Sequence, residues 1–224
     1  MTTKAKLGIS AAAAVAAISL PLLVSWSRSA EAASNVPAAA LVEPAKGSRE
    51  VAVLAGGCFW GVEAVFEHVK GVSDVRSGFA GGDSASANYA KVSGGTTGNA
   101  EAVRISFDPR VVSYADLLRI FFAVAHDPTE VNRQGPDVGP QYRTAIFPQS
   151  PAQARVAKAY IAQLGKAGVF KRPIATRIEQ GRFVEAEAYH QDFMARNPRH
   201  PYVVIHDRPK LAALKQQFPA SWKG

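Results

Sequence analysis

Only one of the 224 residues is a cysteine, Cys58. The chain therefore can form no internal disulfide, either as a structural staple or as a step in catalysis. The five histidines, His68, His126, His190, His200 and His206, show no ligand-pair spacing with that cysteine, so no metal centre is expected. No glycine-rich phosphate loop follows a strand in the required form, which excludes the common nucleotide cofactors as an expectation from sequence. Nor is there an internal repeat or a low-complexity tract after residue 50. Basic residues outnumber acidic ones, for a formal charge of +8, but they are scattered and form no stripe, so nucleic-acid binding is not expected.

The N-terminus differs in character from the rest. Lys4 and Lys6 precede a run rich in Ala, Leu and Val over residues 7–26, followed by Ala30-Glu31-Ala32 with small residues where a signal peptidase cuts. These features predict a secretory signal over residues 1–32 and a periplasmic location. An uncleaved membrane anchor through residues 7–26 is the alternative. No cysteine near the cleavage site suggests a lipoprotein, and no Arg-Arg pair suggests twin-arginine export. The first 32 residues carry Lys4, Lys6, Arg28 and Glu31, a net +2, so the remainder carries +6. Residues 33–50, rich in Ala, Ser, Pro and Gly, read as a linker to a single domain over residues 51–224. Nothing in the chain asks for an oligomer, and a monomer is expected.

Within that domain the patterns alternate between strand and helix. Strands are predicted over residues 51–55, 72–79, 102–107, 143–147 and 174–179. Helices are predicted over 58–69, from Ser113 to about 125, from Ser150-Pro151 to Gly165, over 184–196 and over 209–218. The first helix has an apolar stripe of Phe59, Val62, Val65, Phe66 and Val69, and the second buries Leu117, Leu118, Phe121 and Phe122. The order β-α-β-β-α-β over residues 51–147 fits a ferredoxin-like α+β two-layer core with added C-terminal helices. Two long loops, 80–101 and 126–142, are natural walls for a site.

The chemistry concentrates in Gly56-Gly57-Cys58-Phe59-Trp60-Gly61-Val62-Glu63. A free thiol has a pKa of roughly 8.5. A helix N-terminus presents unpaired N–H groups and partial positive charge, which favour the thiolate. The plain alternative is that a lone cysteine is a small buried hydrophobe. Strand, two glycines, cysteine, two aromatics and helix together favour a reactive thiol.

Further blocks occur in order: Gly94-Gly95-Thr96-Thr97-Gly98-Asn99-Ala100-Glu101, His126-Asp127-Pro128, Arg133-Gln134-Gly135-Pro136-Asp137-Val138-Gly139-Pro140-Gln141-Tyr142-Arg143 and Glu185-Ala186-Glu187-Ala188-Tyr189-His190-Gln191-Asp192-Phe193. With the Cys58 segment, these resemble the A-type peptide methionine sulfoxide reductases from about residue 51 to about residue 198. The resemblance implies Cys58 as nucleophile, Glu101 as acid, Tyr89 and Tyr142 as hydroxyl donors and Asp137 as an orienting residue. It implies Phe59 and Trp60 as an apolar cage for the substrate methyl, and Glu187 and His190 as a supporting shell on one helix face. Without the resemblance, Glu101 reads as a solvated charge and the tyrosines as surface cover. The chain departs from the family at Asn99, where histidine is usual, and in lacking C-terminal resolving cysteines.

The implied activity is reduction of methionine S-sulfoxide, free or in proteins, through a sulfenic acid on Cys58. With no organic cofactor, the electrons must come from an external thiol, either a thioredoxin-like protein or a small thiol. Two other readings remain at this stage. Cys58 and His190 could form an acyl-transfer pair, or the fold could bind oxidised peptides without turnover.

Overall fold

The computed structural model describes residues 36–224, so the expected leader over residues 1–32 lies outside the described part. The core runs β1 (Glu50–Gly56), α1 (Phe59–Glu67), β2 (Val72–Ala80), β3 (Ala100–Phe107), α2 (Tyr114–Ile120) and β4 (Thr144–Phe147). Each strand end coincides with a local signal. Gly57 turns the chain out of β1 with φ of 87°, and the Ser113 and Asp116 side chains make a reciprocal capping box at the start of α2.

The sheet order is β4-β1-β3-β2, antiparallel throughout, as the split β-α-β arrangement requires. After α3 (Pro151–Ala167), two short strands extend it. β5 (Arg177–Ile178) runs parallel to β4, and β6 (Phe183–Glu185) runs antiparallel to β2. The chain ends with α4 (Arg208–Gln217) and a tail. One face of the sheet carries the main core, which includes Leu54, Val103, Ile105 and Phe107 together with Val62, Val65 and Phe66 of α1 and Leu117 and Leu118 of α2. The other face is thinner, formed by Val53, Phe147 and a row of alanines. Both ends of α1 are held. Beyond its C-terminus, the Lys70 N–H donates to the Ser221 carbonyl, and the His68 ring stacks on Trp222.

Several segments differ from the sequence expectation. The predicted helix over 184–196 is instead β6, a 3-10 turn at Ala188–His190 and a short helix at Phe193–Arg196. Pairing with the edge of β2 captures the first residues, and Asp192, with φ of 50°, breaks the helix that would have followed. The predicted 174–179 strand pairs only at Arg177–Ile178. The second helix reaches Ala125 as expected, but Phe121–Ala125 winds as a π segment. A similar π segment, Val203–Asp207, leads into α4 within residues that the sequence reading left unassigned.

The stretch read as a linker is docked from residue 36 onward. Val36 is buried in the main core, and its carbonyl accepts from Arg119 Nε at 2.9 Å. The Tyr160 hydroxyl donates to the Pro37 carbonyl at 2.6 Å, and the Gln163 amide bonds both Ala38 and Ala40. Alanine and proline here mark an extended strap whose backbone groups bond side chains of α2 and α3, a pattern that composition does not distinguish from a free linker. Tyr160→Phe removes one of these bonds. It should cost about 1 kcal/mol in denaturant unfolding, and it should speed proteolytic cleavage within residues 36–43.

Candidate active site

Cys58 is the N-cap residue of α1 and is 9% exposed. A side chain at Gly57 would meet the Gln134 side chain at 2.4 Å, so the turn and the overlying loop require glycine there. Gln134 is itself clamped, accepting from the Asp127 N–H at 3.0 Å and donating to the Asp127 carbonyl at 2.7 Å. His126 anchors the same loop. Its Nδ1–H donates to the Phe121 carbonyl at 2.9 Å and its Nε2 accepts from the Thr144 hydroxyl at 2.7 Å. Burial lowers its pKa to about 4, so it is a neutral structural imidazole.

Glu101 lies near the start of β3, opposite Phe79 of β2, and is 3% exposed. Its Oε2 accepts from the Phe59 N–H, the first amide of α1, at 3.1 Å. Burial pushes its carboxyl up to about 8, against the pull of that hydrogen bond. At neutral pH the group holds a proton that it can donate.

The helix N-terminus does not leave Cys58 as a free thiolate, contrary to the expectation from its position. Burial pushes the thiol well up, and the Glu101 and Asp207 carboxylates add to the push; the Trp60 N–H and Lys210 oppose it. Desolvation outweighs the partial charge of one helix end. The push from Glu101 vanishes whenever Glu101 is protonated, so sulfur and carboxyl compete for a single negative charge.

Three phenols face the same space. Tyr89 belongs to a short helical turn, Tyr89–Val92, and Tyr142 ends the 3-10 turn Pro140–Tyr142. Burial raises both pKa values, with Glu101 and Cys58 among the further causes, so both remain hydroxyl donors. Asp137 sits on a small hairpin that pairs Arg133–Gln134 with Asp137–Val138. Its carboxylate accepts from the third phenol, Tyr202, which the sequence reading missed. The only cue was an aromatic residue beside the apolar run Val203-Val204-Ile205.

Phe59 and Trp60 do not share one role. Phe59 is fully buried between Phe79 and His190, with ring centroids 5.7 and 5.0 Å away. Trp60 is half-buried and stacks on Phe193 at 3.7 Å, with Tyr202 and His200 edge-on. Successive helix residues point in different directions, so in place of the cage expected from both rings Trp60 offers a half-buried indole and Phe59 packs into the core.

Glu187 and His190 do not share a helix face, because that helix is absent. Each instead fixes an aromatic. Glu187 Oε1 accepts from the Tyr89 N–H at 3.0 Å, and His190 Nδ1 accepts from the Trp60 indole at 3.2 Å. His190 Nδ1 is thus engaged by Trp60, and its buried Nε2 has no partner among the described residues. That arrangement does not support an acyl-transfer pair with Cys58. Asn99 does not contact Glu101 either. It bonds the Gly82 N–H, the Asp83 carbonyl and the Ser86 hydroxyl, fixing the 80–101 loop. Arg143 joins that loop to its neighbours through Glu179 at 2.8 Å, the Gly98 carbonyl and the Pro140 carbonyl. Among the described residues, no group of three or more His, Cys, Asp or Glu could hold a metal ion.

A buried thiol, a protonated carboxyl at the same helix end and phenol donors around them define a thiol enzyme whose chemistry transfers protons. Comparison with known proteins is consistent with this class. Residues 50–222 match the family model described as "Peptide methionine sulfoxide reductase". Peptide methionine sulfoxide reductase MsrA 2 of Synechocystis sp. is 58% identical over 170 residues, covering 75% of this chain and 79% of that protein. The MsrA of Deinococcus radiodurans is 49% identical, covering 76% and 83%. Among solved structures, reduced Mxr1 of Saccharomyces cerevisiae aligns with a TM-score of 0.61 at 33% identity, covering 72% of this chain and 92% of that one. Methionine sulfoxide reductase A of Corynebacterium diphtheriae aligns with a TM-score of 0.58 at 31% identity, covering 69% and 78%. The chain belongs to the peptide methionine sulfoxide reductase family.

The Glu101 environment has a measurable consequence for stability. An unfolded glutamate titrates at 4.5 and the folded one at about 8. Stability from burying the neutral acid is complete below the first value and is lost as pH rises through the second. Glu101→Gln should therefore raise the melting temperature relative to wild type at about pH 8 and change it little at about pH 5, with sulfoxide reduction lost at both.

Proposed function

We propose that this protein reduces methionine S-sulfoxide, free and in oxidised proteins, with Cys58 as nucleophile and Glu101 as acid. The observation that carries the reading is the placement of a protonated carboxyl and a thiol at one helix end, walled by phenols and one half-exposed indole. The Cys58 sulfur attacks the sulfoxide sulfur. Glu101 gives its proton to the departing oxygen and takes the thiol proton in return. Tyr89 and Tyr142 donate to the same oxygen and stabilise charge that develops on it. Trp60 receives the substrate methyl. Asp137 orients the polar side of the pocket through Tyr202, while Glu187 and His190 hold Tyr89 and Trp60.

The oxygen then passes to Cys58 as the sulfur–sulfur bond breaks, which yields methionine and a Cys58 sulfenic acid, with substrate sulfur reduced and enzyme sulfur oxidised by two electrons. An external thiol then attacks the sulfenic acid, releasing water and forming a mixed disulfide. A second thiol, from a thioredoxin-like protein or a small-thiol pool, releases the free Cys58. Location belongs to the same proposal. Residues 1–32 read as an export signal, which puts the enzyme in the periplasm, or membrane-anchored through residues 7–26 if the signal is retained. The mature protein would then begin at Ala33, and N-terminal mass analysis of exported protein decides between the two forms.

Without reductant, residues 33–224 should release about one methionine per protein, because a single thiol is oxidised once. The S epimer of a blocked peptide should react and the R epimer should not. Dimedone should then label Cys58, and Cys58→Ser should abolish both methionine release and label. Turnover by folded Cys58→Ser protein would sink the reading.

A further inference from the structure

Beneath the first turn of α1 lies an ion pair with no place in the reaction just described. Asp207, the last residue of the π segment before α4, is completely buried. Its Oδ1 lies 3.5 Å from Lys210 Nζ one turn later. Both groups press into the space left by Gly61. A Cβ added there would stand 2.1 Å from Asp207 Oδ1 and 2.9 Å from Lys210 Nζ. The helix that Cys58 caps is thus notched at its third residue to admit a carboxylate and an ammonium from another helix.

As a stabilising element this pair is poor. Its contact is long, and the buried Asp207 Oδ2 has no partner among the described residues. Desolvating such a pair generally costs more than the attraction returns, unless further hydrogen bonds complete it. Its position offers a role. The groups facing Cys58 from the surrounding elements are mostly anionic or can become so: Glu101 on β3, Asp137 on the hairpin, the phenols Tyr89, Tyr142 and Tyr202, and Asp207 itself. Among the described residues, Lys210 is the cation that favours the Cys58 thiolate, and Asp207 opposes it more strongly. Its field also reaches His126, which is held neutral by its burial and hydrogen bonds.

We propose that Asp207 and Lys210 form a positioning pair for Cys58, in which Asp207, seated in the Gly61 notch, fixes the Lys210 ammonium and holds the sulfur toward its thiol form, while Lys210 offsets part of that effect. The proposal rests on Cys58 being the nucleophile. Neither residue touches the substrate or the reacting atoms; both act through the sulfur. Both charges act through the helix floor.

The test is the pH dependence of Cys58 alkylation by iodoacetamide, in the wild type and in Lys210→Met, Lys210→Arg and Asp207→Asn forms of residues 33–224. Lys210→Met should shift the profile to higher pH and slow alkylation at neutral pH about tenfold. Lys210→Arg should stay near wild type, and Asp207→Asn should shift the profile to lower pH. In sulfoxide reduction, Lys210→Met should lower kcat and leave KM nearly unchanged. Profiles of Lys210→Met and Asp207→Asn that coincide with wild type would overturn the proposal, even with reductase activity intact. If Lys210→Met does not fold, the direction of the Asp207→Asn shift decides. A shifted profile in a protein that fails to reduce sulfoxides would uphold the pair and refute the reductase reading, because alkylation does not depend on that activity.

Discussion

The hydrogen bond from the Phe59 N–H to Glu101 joins the start of the first helix to the start of the third strand, and the site is arranged around it. It fixes the Glu101 carboxyl against the helix end that Cys58 caps. Both groups are buried, so the region tolerates only one negative charge at a time. A carboxyl that keeps its proton until about pH 8 satisfies that limit in the resting protein. The reaction satisfies it as well, because attack by sulfur and protonation of oxygen are paired and charge does not accumulate.

Much of the remaining architecture holds this contact in place. The split β-α-β core delivers β1 into α1 at Cys58 and sets the antiparallel β3 beside it, so Cys58 and Glu101 sit at the same end of the sheet. The loops that carry Tyr89, Asp137 and Tyr142 have little core of their own. They are stitched by Asn99, Gln134, Arg143 and Glu187, each bonding mainly to backbone or to a fixed ion-pair partner. Such polar side chains position loop backbone without filling the pocket, which leaves room for a substrate among rigid donors.

Elements whose apolar periodicity is strong were legible in the sequence. Val62, Val65 and Phe66, then Leu117 and Leu118, lie in the core where the pattern put them. Ordered blocks of residues pointed to Cys58 and Glu101, and the structure brings the two to one helix end. The helix expected over residues 184–196 failed, because the segment starts with a period-two alternation, Val184, Ala186 and Ala188, and an open sheet edge captured its first residues as a strand. The sequence pattern also failed at the strap from Val36, whose docking depends on side chains more than a hundred residues away, Tyr160 and Gln163. Tyr202, Asp207 and Lys210 were illegible for a related reason. Their meaning depends on which surface of α1 the C-terminal helix covers, and Gly61 reveals that only once the helices are placed.

The lack of a second cysteine shapes the site as much as any residue present. In a chain with one thiol, substrate and reductant must reach the same sulfur in turn, because no partner within the protein can carry the oxidising equivalent away. The kinetics are then ping-pong, with methionine leaving before the reductant thiol enters. The mouth above Cys58 must therefore accept two different visitors, a sulfoxide with an apolar methyl and then a bare thiolate. A permanent cation at that mouth would hold the second visitor, and a permanent anion would repel it. Neutral phenols and an indole line that mouth and the Asp137 carboxylate there is engaged by the Tyr202 hydroxyl, while the other charges that act on Cys58 lie beneath the helix or carry a removable proton.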